Sequence, residues 1–260
     1  MKLVLAQPRL SYDVQADNAG LIRRLLEPLA PTLERDDLVL LPEHYDLRPT
    51  RADYEEGVRS LAKTLGCHVI GGSHHEQRDG RRLNAGVVSD PSGQLLASYE
   101  KLRPYAAERS RVEPGSALGE LKIAGKRVLV LVCADFWFSD LFHRTTELPD
   151  LVLVPAHSVT RKPTPEYSRA LWRHLAVARA YEFGVYVGVS DWAAAQGPLP
   201  VGMLPASGVG GFADPTKVDP ATLFLPISGA VQSYELDFPA LDAFRNDRYA
   251  RGFFWRPPQP

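Results

Sequence analysis

The run Arg127-Val128-Leu129-Val130-Leu131-Val132-Cys133, followed at once by Ala134-Asp135, decides the fold of this chain. Such an apolar run predicts a strand that is buried on both faces, as in the parallel sheet of an α/β protein. Ligands of these sheets bind beyond the carboxyl ends of the strands. The thiol of Cys133 is therefore well placed to act as a nucleophile, although a lone free cysteine is more often a small buried hydrophobe.

Two further apolar strands end on ionisable side chains. Residues 37–43, DLVLLPE, end on Glu43, and residues 94–101, QLLASYEK, end on Lys101. Taken singly, each charge is most often a solvated loop residue. Together with Cys133, these strand ends offer a base, a cation and a thiol, and the combination indicates one catalytic site.

The order of these three segments resembles that of a known family. Pro42-Glu43, then Tyr99-Glu100-Lys101, then Val132-Cys133-Ala134-Asp135 is similar to the pattern of the nitrilase superfamily, the carbon–nitrogen hydrolases. The resemblance covers nearly the whole chain, because further matches run from residues 2–7 to residues 241–245. Each short match is unspecific by itself, whereas the order and spacing of all the matches together are strong evidence for the family.

The resemblance implies an α/β fold, the four-layer α-β-β-α sandwich of nitrilase type. Short apolar strands alternate with helical patterns along the chain, which favours the same stacked αβ units. We expect a single carbon–nitrogen hydrolase domain over residues 1–260, because no repeat or linker interrupts it. The resemblance also implies a homodimer or higher homo-oligomer. The Pro-rich tail within residues 248–260 is expected to fray or to pack on a partner subunit.

Hydrophobic periodicity predicts the positions of the elements. Helices are expected at residues 14–27, 51–65, 139–146, 166–183 and 239–247. Strands are expected at residues 2–7, 37–42, 67–72, 83–90, 94–101, 126–133, 150–155, 185–190, 208–213 and 231–237. The turn sequence Asp90-Pro91-Ser92-Gly93 joins two of these strands into a hairpin.

Composition argues against several classes of function. The formal net charge is −1 and no basic block occurs, so we expect no nucleic-acid partner. The two cysteines, Cys67 and Cys133, do not make a disulfide framework. Residues 1–6 lack the pattern of a signal peptide, and no stretch has the length of a membrane span. We therefore expect no membrane association and a cytoplasmic location.

The chemistry of amide cleavage gives each candidate residue a role. A free cysteine is only about 3% thiolate at neutral pH, so the thiol needs a base within hydrogen-bond reach. Glu43 is the candidate general base for Cys133. Attack creates a negative charge, which a cation and a backbone N–H stabilise in a dry site. The resemblance assigns these two roles to Lys101 and to the N–H of Ala134.

The family often carries a second glutamate between the lysine and a downstream Pro-Gly. Glu108 has the expected spacing before Gly115, and Glu113 is the rival candidate. The resemblance implies that Glu108 orients Lys101 and helps to place the substrate. A plain surface charge remains the alternative interpretation of Glu108.

The chain also departs from the family pattern. Trp137 stands where members that act on carboxylate-bearing amides or N-carbamoyl amino acids often have arginine. An indole cannot pair bidentately with a carboxylate, which favours neutral or aromatic amides. The Cys-Trp-Glu of true nitrilases is absent, so nitrile hydrolysis ranks below amide hydrolysis. The segment 207–215 also departs from the family's usual Gly-x-Ser.

Histidines give weaker signals. His157, just beyond the strand that ends at Pro155, is a candidate for lining the substrate pocket and a less favoured partner for the thiol. His74 and His75 are adjacent and point apart on a strand, and His68 adds no metal-ligand spacing. We therefore expect no metal and no organic cofactor.

The function that these residues predict is that of a thiol amidohydrolase. It would hydrolyse a non-peptide linear C–N bond of a small amide through a cysteine acyl-enzyme. A nitrilase or an N-carbamoyl hydrolase of the same superfamily is the alternative, with a small nitrile or carbamoyl substrate. Transfer of the acyl group to an acceptor other than water is a further possibility. The remaining hypothesis is a catalytically silent interaction scaffold.

Overall fold

Two β-sheets packed face to face carry most of the apolar sequence. The computed structural model describes residues 1–46, 50–195, 199 and 203–253. Its strands are β1 Lys2–Ala6, β2 Leu38–Leu40, β3 His68–Ile70, β4 His74–Arg78, β5 Arg81–Ser89, β6 Leu95–Glu100, β7 Gly119–Ile123, β8 Lys126–Val130, β9 Leu151–Pro155, β10 Tyr186–Ser190, β11 Gly211–Ala213, β12 Phe224–Pro226 and β13 Val231–Glu235. Its α-helices are α1 Asn18–Leu26, α2 Arg51–Leu65, α3 Glu166–Phe183 and α4 Phe238–Ala250.

The two sheets have related strand orders. The first runs β13-β1-β2-β3-β5-β4, with β6 paired to β5. The second runs β12-β11-β10-β9-β8-β7. The centre of each is parallel, since β1, β2 and β3 run together in one sheet and β8, β9 and β10 in the other. The carboxyl ends of these central strands therefore all lie at the same end of their sheet, and a ligand site is expected there.

Successive side chains along each strand face opposite sides of the sheet, and this alternation separates two apolar layers. Leu3 and Leu38 belong to the cluster that also contains β8, β9 and β10, so they face the second sheet. Val4 and Val39 belong to the cluster that contains buried residues of α1 and α2. The sheets approach closely at Gly188, where an added Cβ would lie 2.6 Å from Leu3 Cδ2. On its outer side the second sheet is covered by α3, which completes the predicted four-layer sandwich.

The helix ends follow local chemistry. The side chain of Thr50 caps the first turn of α2 by accepting from the N–H of Asp53. The helix closes at Gly66, which adopts the left-handed conformation that glycine tolerates. A similar left-handed glycine, Gly184, closes α3. The predicted bounds of both helices, 51–65 and 166–183, agree with the structure.

Several predicted elements differ from the structure. Helix α1 begins at Asn18 rather than at residue 14, because Asp17 caps it. Strands β4, β7 and β12 were not predicted; each lies at the edge of a sheet or is only three residues long. The predicted helix at 139–146 is a 3₁₀ segment, Ser139–Arg144. Helix α4 extends to Ala250, so the tail begins later than expected. The last part of the tail lies outside the described residues.

Within the described residues, none of the helices combines the length and the apolar character that a membrane crossing requires.

Candidate active site

Glu43 lies just beyond β2, where the chain passes between the two sheets. Its N–H donates to Ala156 O at 3.2 Å, and its backbone forms an isolated parallel bridge with Ser73. These contacts fix a carboxylate that is only 2% exposed. The oxygen Oε2 accepts from the N–H of His157 at 3.0 Å, and Oε1 faces the lysine described next. The carboxylate is therefore held by backbone on both sheets.

Lys101 follows β6 and reaches the same point from the first sheet. Its Nζ lies 2.8 Å from Glu43 Oε1 and 2.6 Å from Glu108 Oε2. The side chain is 3% exposed, and burial by itself would lower the pKa of its ammonium. The neighbouring Glu43, Cys133 and Glu108 reverse this effect and raise the pKa. Lys101 is therefore a buried ammonium at neutral pH.

Cys133 does not continue the strand as the apolar run predicted. Strand β8 ends at Val130, and Cys133 begins a 3₁₀ turn, Cys133–Trp137. The backbone of Cys133 has φ of 50°, a left-handed conformation that is uncommon for a residue with a side chain. This strained turn projects the thiol away from the strand, with Sγ 3.9 Å from the carbonyl oxygen of His157.

The thiol of Cys133 and the carboxylate of Glu43 come together at His157, whose carbonyl oxygen lies 3.9 Å from Sγ and whose N–H donates to Glu43 Oε2 at 3.0 Å. Burial raises the pKa of the thiol well above its usual value, and Glu43 raises it further by its charge and by a hydrogen bond. Burial would also raise the pKa of Glu43, but Lys101 outweighs it and the pKa is lowered. The resting pair is accordingly a protonated thiol beside an ionised carboxylate, which is the arrangement that general-base activation requires.

Glu108 lies in the 3₁₀ segment Ala106–Ser110 and joins the same cluster. Its Oε2 contacts Lys101, and its Oε1 accepts from Asn84 Nδ2 at 2.8 Å. Burial opposes ionisation, but contacts with His75 and Lys101 lower the pKa of Glu108. The rival Glu113 is half-exposed and pairs with Arg81 instead. Of the two glutamates, the structure therefore brings Glu108 to the lysine.

Sequence patterns gave no signal for Asn84, which is central to the cluster. This residue of β5 is 1% exposed, and its Nδ2 donates to Glu43 Oε1 at 2.9 Å as well as to Glu108. One amide group thus bridges two carboxylates that would otherwise repel each other. The antiparallel pairing of β5 with β4 places His75 opposite Asn84, and this pairing was not predicted.

Asp135 was part of the quoted motif, but its role was not anticipated. Its buried carboxylate accepts from the N–H of Leu102 at 3.0 Å and from the N–H of Arg103 at 2.8 Å. These bonds tie the segment after Lys101 to the turn that carries Cys133. Burial is the main reason that the pKa of Asp135 is raised to about 6.

A cavity of about 670 Å³ opens above this cluster, and Glu43, Lys101, Cys133 and Glu108 all line it. His157 forms part of one wall, where its ring stacks on Trp192 with centroids 4.4 Å apart. Its Nε2 lies 3.0 Å from the hydroxyl of Tyr12. Burial lowers the pKa of His157 to about 4, so the ring is neutral near pH 7. The structure therefore places His157 in the wall of the cavity and gives its ring a partner other than the thiol.

Ala134 and Trp137 line a second cavity of about 550 Å³, which shares Cys133 and His157 with the first. The Trp137 side chain is 40% exposed and makes an edge contact with Trp172, whose ring centroid is 5.7 Å away. Trp137 therefore lies near the thiol but outside the larger cavity. The roles of Ala134, Trp137 and His157 in substrate binding remain predictions.

His74 and His75 point apart on β4, as the sequence predicted. His74 pairs with Glu76 at 3.0 Å inside the first sheet, and no contact links it to His68 among the described residues. His75 instead reaches the cavity, where it meets His44 and Glu108. His44 could not be found from spacing, because it is brought to His75 only by the pairing of distant segments.

Comparison with known proteins agrees with this geometry. The family model described as carbon-nitrogen hydrolase matches residues 13–202, which is well over half of the chain. The chain therefore belongs to the carbon–nitrogen hydrolase family, and its fold is that of the nitrilase superfamily. The resemblance inferred from Glu43, Lys101 and Cys133 is thereby confirmed at the level of the family.

Relatives of known activity are distant. The chain is 25% identical over 212 residues to the omega-amidase NIT2 of Danio rerio, covering 73% of each protein. It is 27% identical over 161 residues to omega-amidase NIT2 of Xenopus tropicalis, covering 58% of this chain. The match spans 55% of that relative, so about half of its length corresponds to this chain.

Solved structures share the fold at low identity. The CN-hydrolase superfamily protein XC1258 of Xanthomonas campestris, which carries an arsenic adduct in its active site, has a TM-score of 0.77 at 21% identity, with 100% of this chain and 99% of that chain covered. Nit3 of Saccharomyces cerevisiae has a TM-score of 0.76 at 20% identity, covering 95% and 93%. A mutant amidase of Nesterenkonia sp. AN1, with acrylamide added to its active-site cysteine, has a TM-score of 0.71 at 20% identity, covering 97% and 99%.

Proposed function

We propose that this protein is a thiol amidohydrolase that cleaves the C–N bond of a small non-peptide amide through an acyl-enzyme on Cys133. The observation that carries the proposal is that one buried carboxylate lies beside both other groups. Glu43 Oε1 accepts from Lys101 Nζ at 2.8 Å, Glu43 Oε2 accepts from the N–H of His157, and the thiol of Cys133 lies against the carbonyl oxygen of that same histidine. Base, cation and nucleophile therefore act on one point at the floor of the cavity.

The first half-reaction follows from these contacts. Glu43 takes the thiol proton while Sγ of Cys133 bonds to the amide carbon and the carbonyl electron pair moves to oxygen. Lys101 and the N–H of Ala134 stabilise the resulting oxyanion. When the intermediate collapses, the C–N bond breaks and the protonated Glu43 gives its proton to the departing nitrogen. Ammonia or an amine leaves, and the acyl group remains on sulfur as a thioester.

Water completes the cycle. The regenerated carboxylate of Glu43 takes a proton from water as its oxygen bonds to the thioester carbon. The second intermediate collapses by breaking the C–S bond, and the thiolate of Cys133 recovers the proton from Glu43. A carboxylic acid is released. Glu108 does not exchange a proton in this scheme; it holds Lys101 and, with Asn84, separates the two negative charges.

Two observations bear on the class of amide. Trp137, which favoured neutral or aromatic amides, lies beside an apolar second cavity with Phe138 and Trp172. The larger cavity, however, is also lined by arginines, Arg82, Arg111 and Arg161. The relatives named omega-amidases direct attention to amides that carry a distant carboxylate. We therefore include neutral, aromatic and carboxylate-bearing primary amides among the substrates to be tested.

Ammonia release from such a panel tests the proposed function. Cys133→Ala should abolish release, while Cys67→Ala should retain it, because Cys67 is buried in the core away from the cavity. Activity towards nitriles or N-carbamoyl amino acids, with amides inert, would favour the alternative substrates. Folded protein that is inert towards all of these classes would favour the silent scaffold.

A further inference from the structure

The larger cavity contains two histidines that the proposed hydrolysis does not use. The Nε2 atom of His75 lies 3.3 Å from Glu108 Oε1, and the Nε2 atom of His44 lies 4.0 Å from the same oxygen. The two imidazole rings meet edge to face with centroids 4.4 Å apart. One ligand atom from each of the three residues lies within 4.8 Å of the other two. Two imidazoles and a carboxylate are ligands that zinc prefers.

The carboxylate of Glu108 divides its two oxygens between different partners. Oε2 contacts Lys101 at 2.6 Å, whereas Oε1 lies beside the histidines and accepts one hydrogen bond, from Asn84 Nδ2 at 2.8 Å, which leaves it a second lone pair. A cation at Oε1 would therefore not need to displace the ammonium. The pocket floor has two carboxylates, Glu43 and Glu108, against one ammonium. Because Arg82, Arg111 and Arg161 also line the cavity, the preference for a cation rests on the carboxylate oxygen and the two imidazoles that converge here, and not on the charge of the cavity as a whole.

The backbone holds these ligands in place without a metal. The N–H of His44 donates to Ser73 O at 2.8 Å, and φ of His44 is 55°. A left-handed conformation at a residue with a side chain costs about 1 kcal/mol, and such strain is typical of functional positions. His75 is fixed by its register opposite Asn84 in the β4–β5 pair. Their side chains remain partly accessible, 17% exposed for His44 and 30% for His75.

We propose that His44, His75 and Glu108 form a site for Zn²⁺ or a similar divalent transition metal at the wall of the cavity. Zinc–nitrogen bonds of about 2.0–2.1 Å place tetrahedral ligands roughly 3.3–3.5 Å apart, so small side-chain movements would close the observed arrangement. The bound ion displaces the proton that His75 shares with Glu108. It also occupies part of the cavity that Cys133 lines, and zinc therefore inhibits turnover.

The binding test uses titration calorimetry with ZnCl₂ on the 260-residue chain, in the Cys133→Ala background. This background removes the thiol as a competing zinc ligand and makes binding independent of catalysis. We expect one saturable site. His75→Ala should weaken zinc at least tenfold, and His44→Ala should do the same. His174→Ala, an exposed histidine of α3, is the matched control and should leave the affinity unchanged. MgCl₂ should not bind, since Mg²⁺ prefers oxygen ligands.

The outcomes separate this site from the proposed reaction. Three results would overturn the proposal. They are zinc binding that is lost in Cys133→Ala, zinc binding that is retained in both His75→Ala and His44→Ala, and no zinc binding at up to millimolar ZnCl₂. Far-UV circular dichroism shows whether each variant is folded. If one histidine variant does not fold, the other is sufficient for the test. Because no substrate is present, an inert amidase panel leaves this result standing. In active enzyme, zinc should lower ammonia release and EDTA should restore it.

Discussion

Replacing Lys101 by methionine should destabilise the protein strongly and in a pH-dependent way. The ammonium is 3% exposed and lies 2.8 Å from Glu43 and 2.6 Å from Glu108. Methionine keeps most of the volume but leaves two buried carboxylates without their cation. Removing one partner of a buried ion pair costs about 3–5 kcal/mol. For a chain of this size that corresponds to a decrease in Tm of roughly 6–20 °C.

The pH dependence of this loss follows from the two carboxylates. In the wild type the pKa values of Glu43 and Glu108 are lowered from 4.5, so their ionised forms stabilise the fold above that pH. Without Lys101, burial remains the largest influence on both carboxyl groups and their main cationic partner is gone, so we expect both pKa values to shift upward from those of the wild type. The variant then carries a penalty at neutral pH that disappears as falling pH protonates the carboxylates. The difference in unfolding free energy should therefore be largest near pH 7 and should shrink as falling pH passes the upward-shifted pKa values of the variant's carboxylates.

Urea denaturation at pH 7 and pH 4 measures this difference. Lys122→Met is the matched control, because Lys122 is 63% exposed in its pair with Glu147 and should cost less than about 1 kcal/mol. The double variant Glu43→Gln/Lys101→Met should recover part of the loss at pH 7, since it removes one of the two unpaired charges. A Lys101→Met protein within 1 kcal/mol of the wild type at pH 7, or with an unchanged deficit at pH 4, would refute the electrostatic account of this cluster.

Three further substitutions test individual roles. Glu43→Gln should lower kcat by a factor of about 10²–10⁴, because the base is lost. The same substitution should lower the pKa of Cys133, because the charge of Glu43 raises that pKa in the wild type. The pH dependence of iodoacetamide alkylation measures the shift. Glu108→Gln should reduce kcat at least tenfold, whereas Glu113→Gln, which alters a half-exposed glutamate, should behave as wild type in the ammonia assay. Asn84→Asp adds a third carboxylate between two others and should lower Tm at pH 7 more than Asn84→Ala does; equal Tm values for the two variants would contradict the bridging role.

The family could be predicted from the order of the segments around Glu43, Lys101 and Cys133, and the layer architecture followed from that resemblance; local rules agree with the tertiary structure at several elements. The bounds of α2 follow from the cap at Thr50 and the left-handed Gly66. The strands β8 and β9 are buried on both faces, and their runs of consecutive apolar residues indicate this in the sequence. Edge strands such as β4, HHEQR, carry polar residues on both sides and give no periodic apolar signal.

The candidate site was predictable only in part. Glu43, Lys101 and Cys133 follow strands in a recognisable order, and the structure brings them together. The left-handed turn at Cys133 could not be predicted from the apolar run, because Leu131 and Val132 continue the apolar pattern although β8 ends at Val130. His44 and Asn84 join the cluster through pairing of distant segments, which no local pattern encodes.

Rapid-quench intact-mass spectrometry with a turned-over amide tests the central chemical step most directly. The account predicts a transient adduct whose mass equals the acyl part of the substrate, located on Cys133 by peptide mapping. The same adduct should be absent from Cys133→Ala and present in Cys67→Ala. Ammonia release without any adduct under single-turnover conditions, or an adduct that persists in Cys133→Ala, would contradict a thioester on this residue.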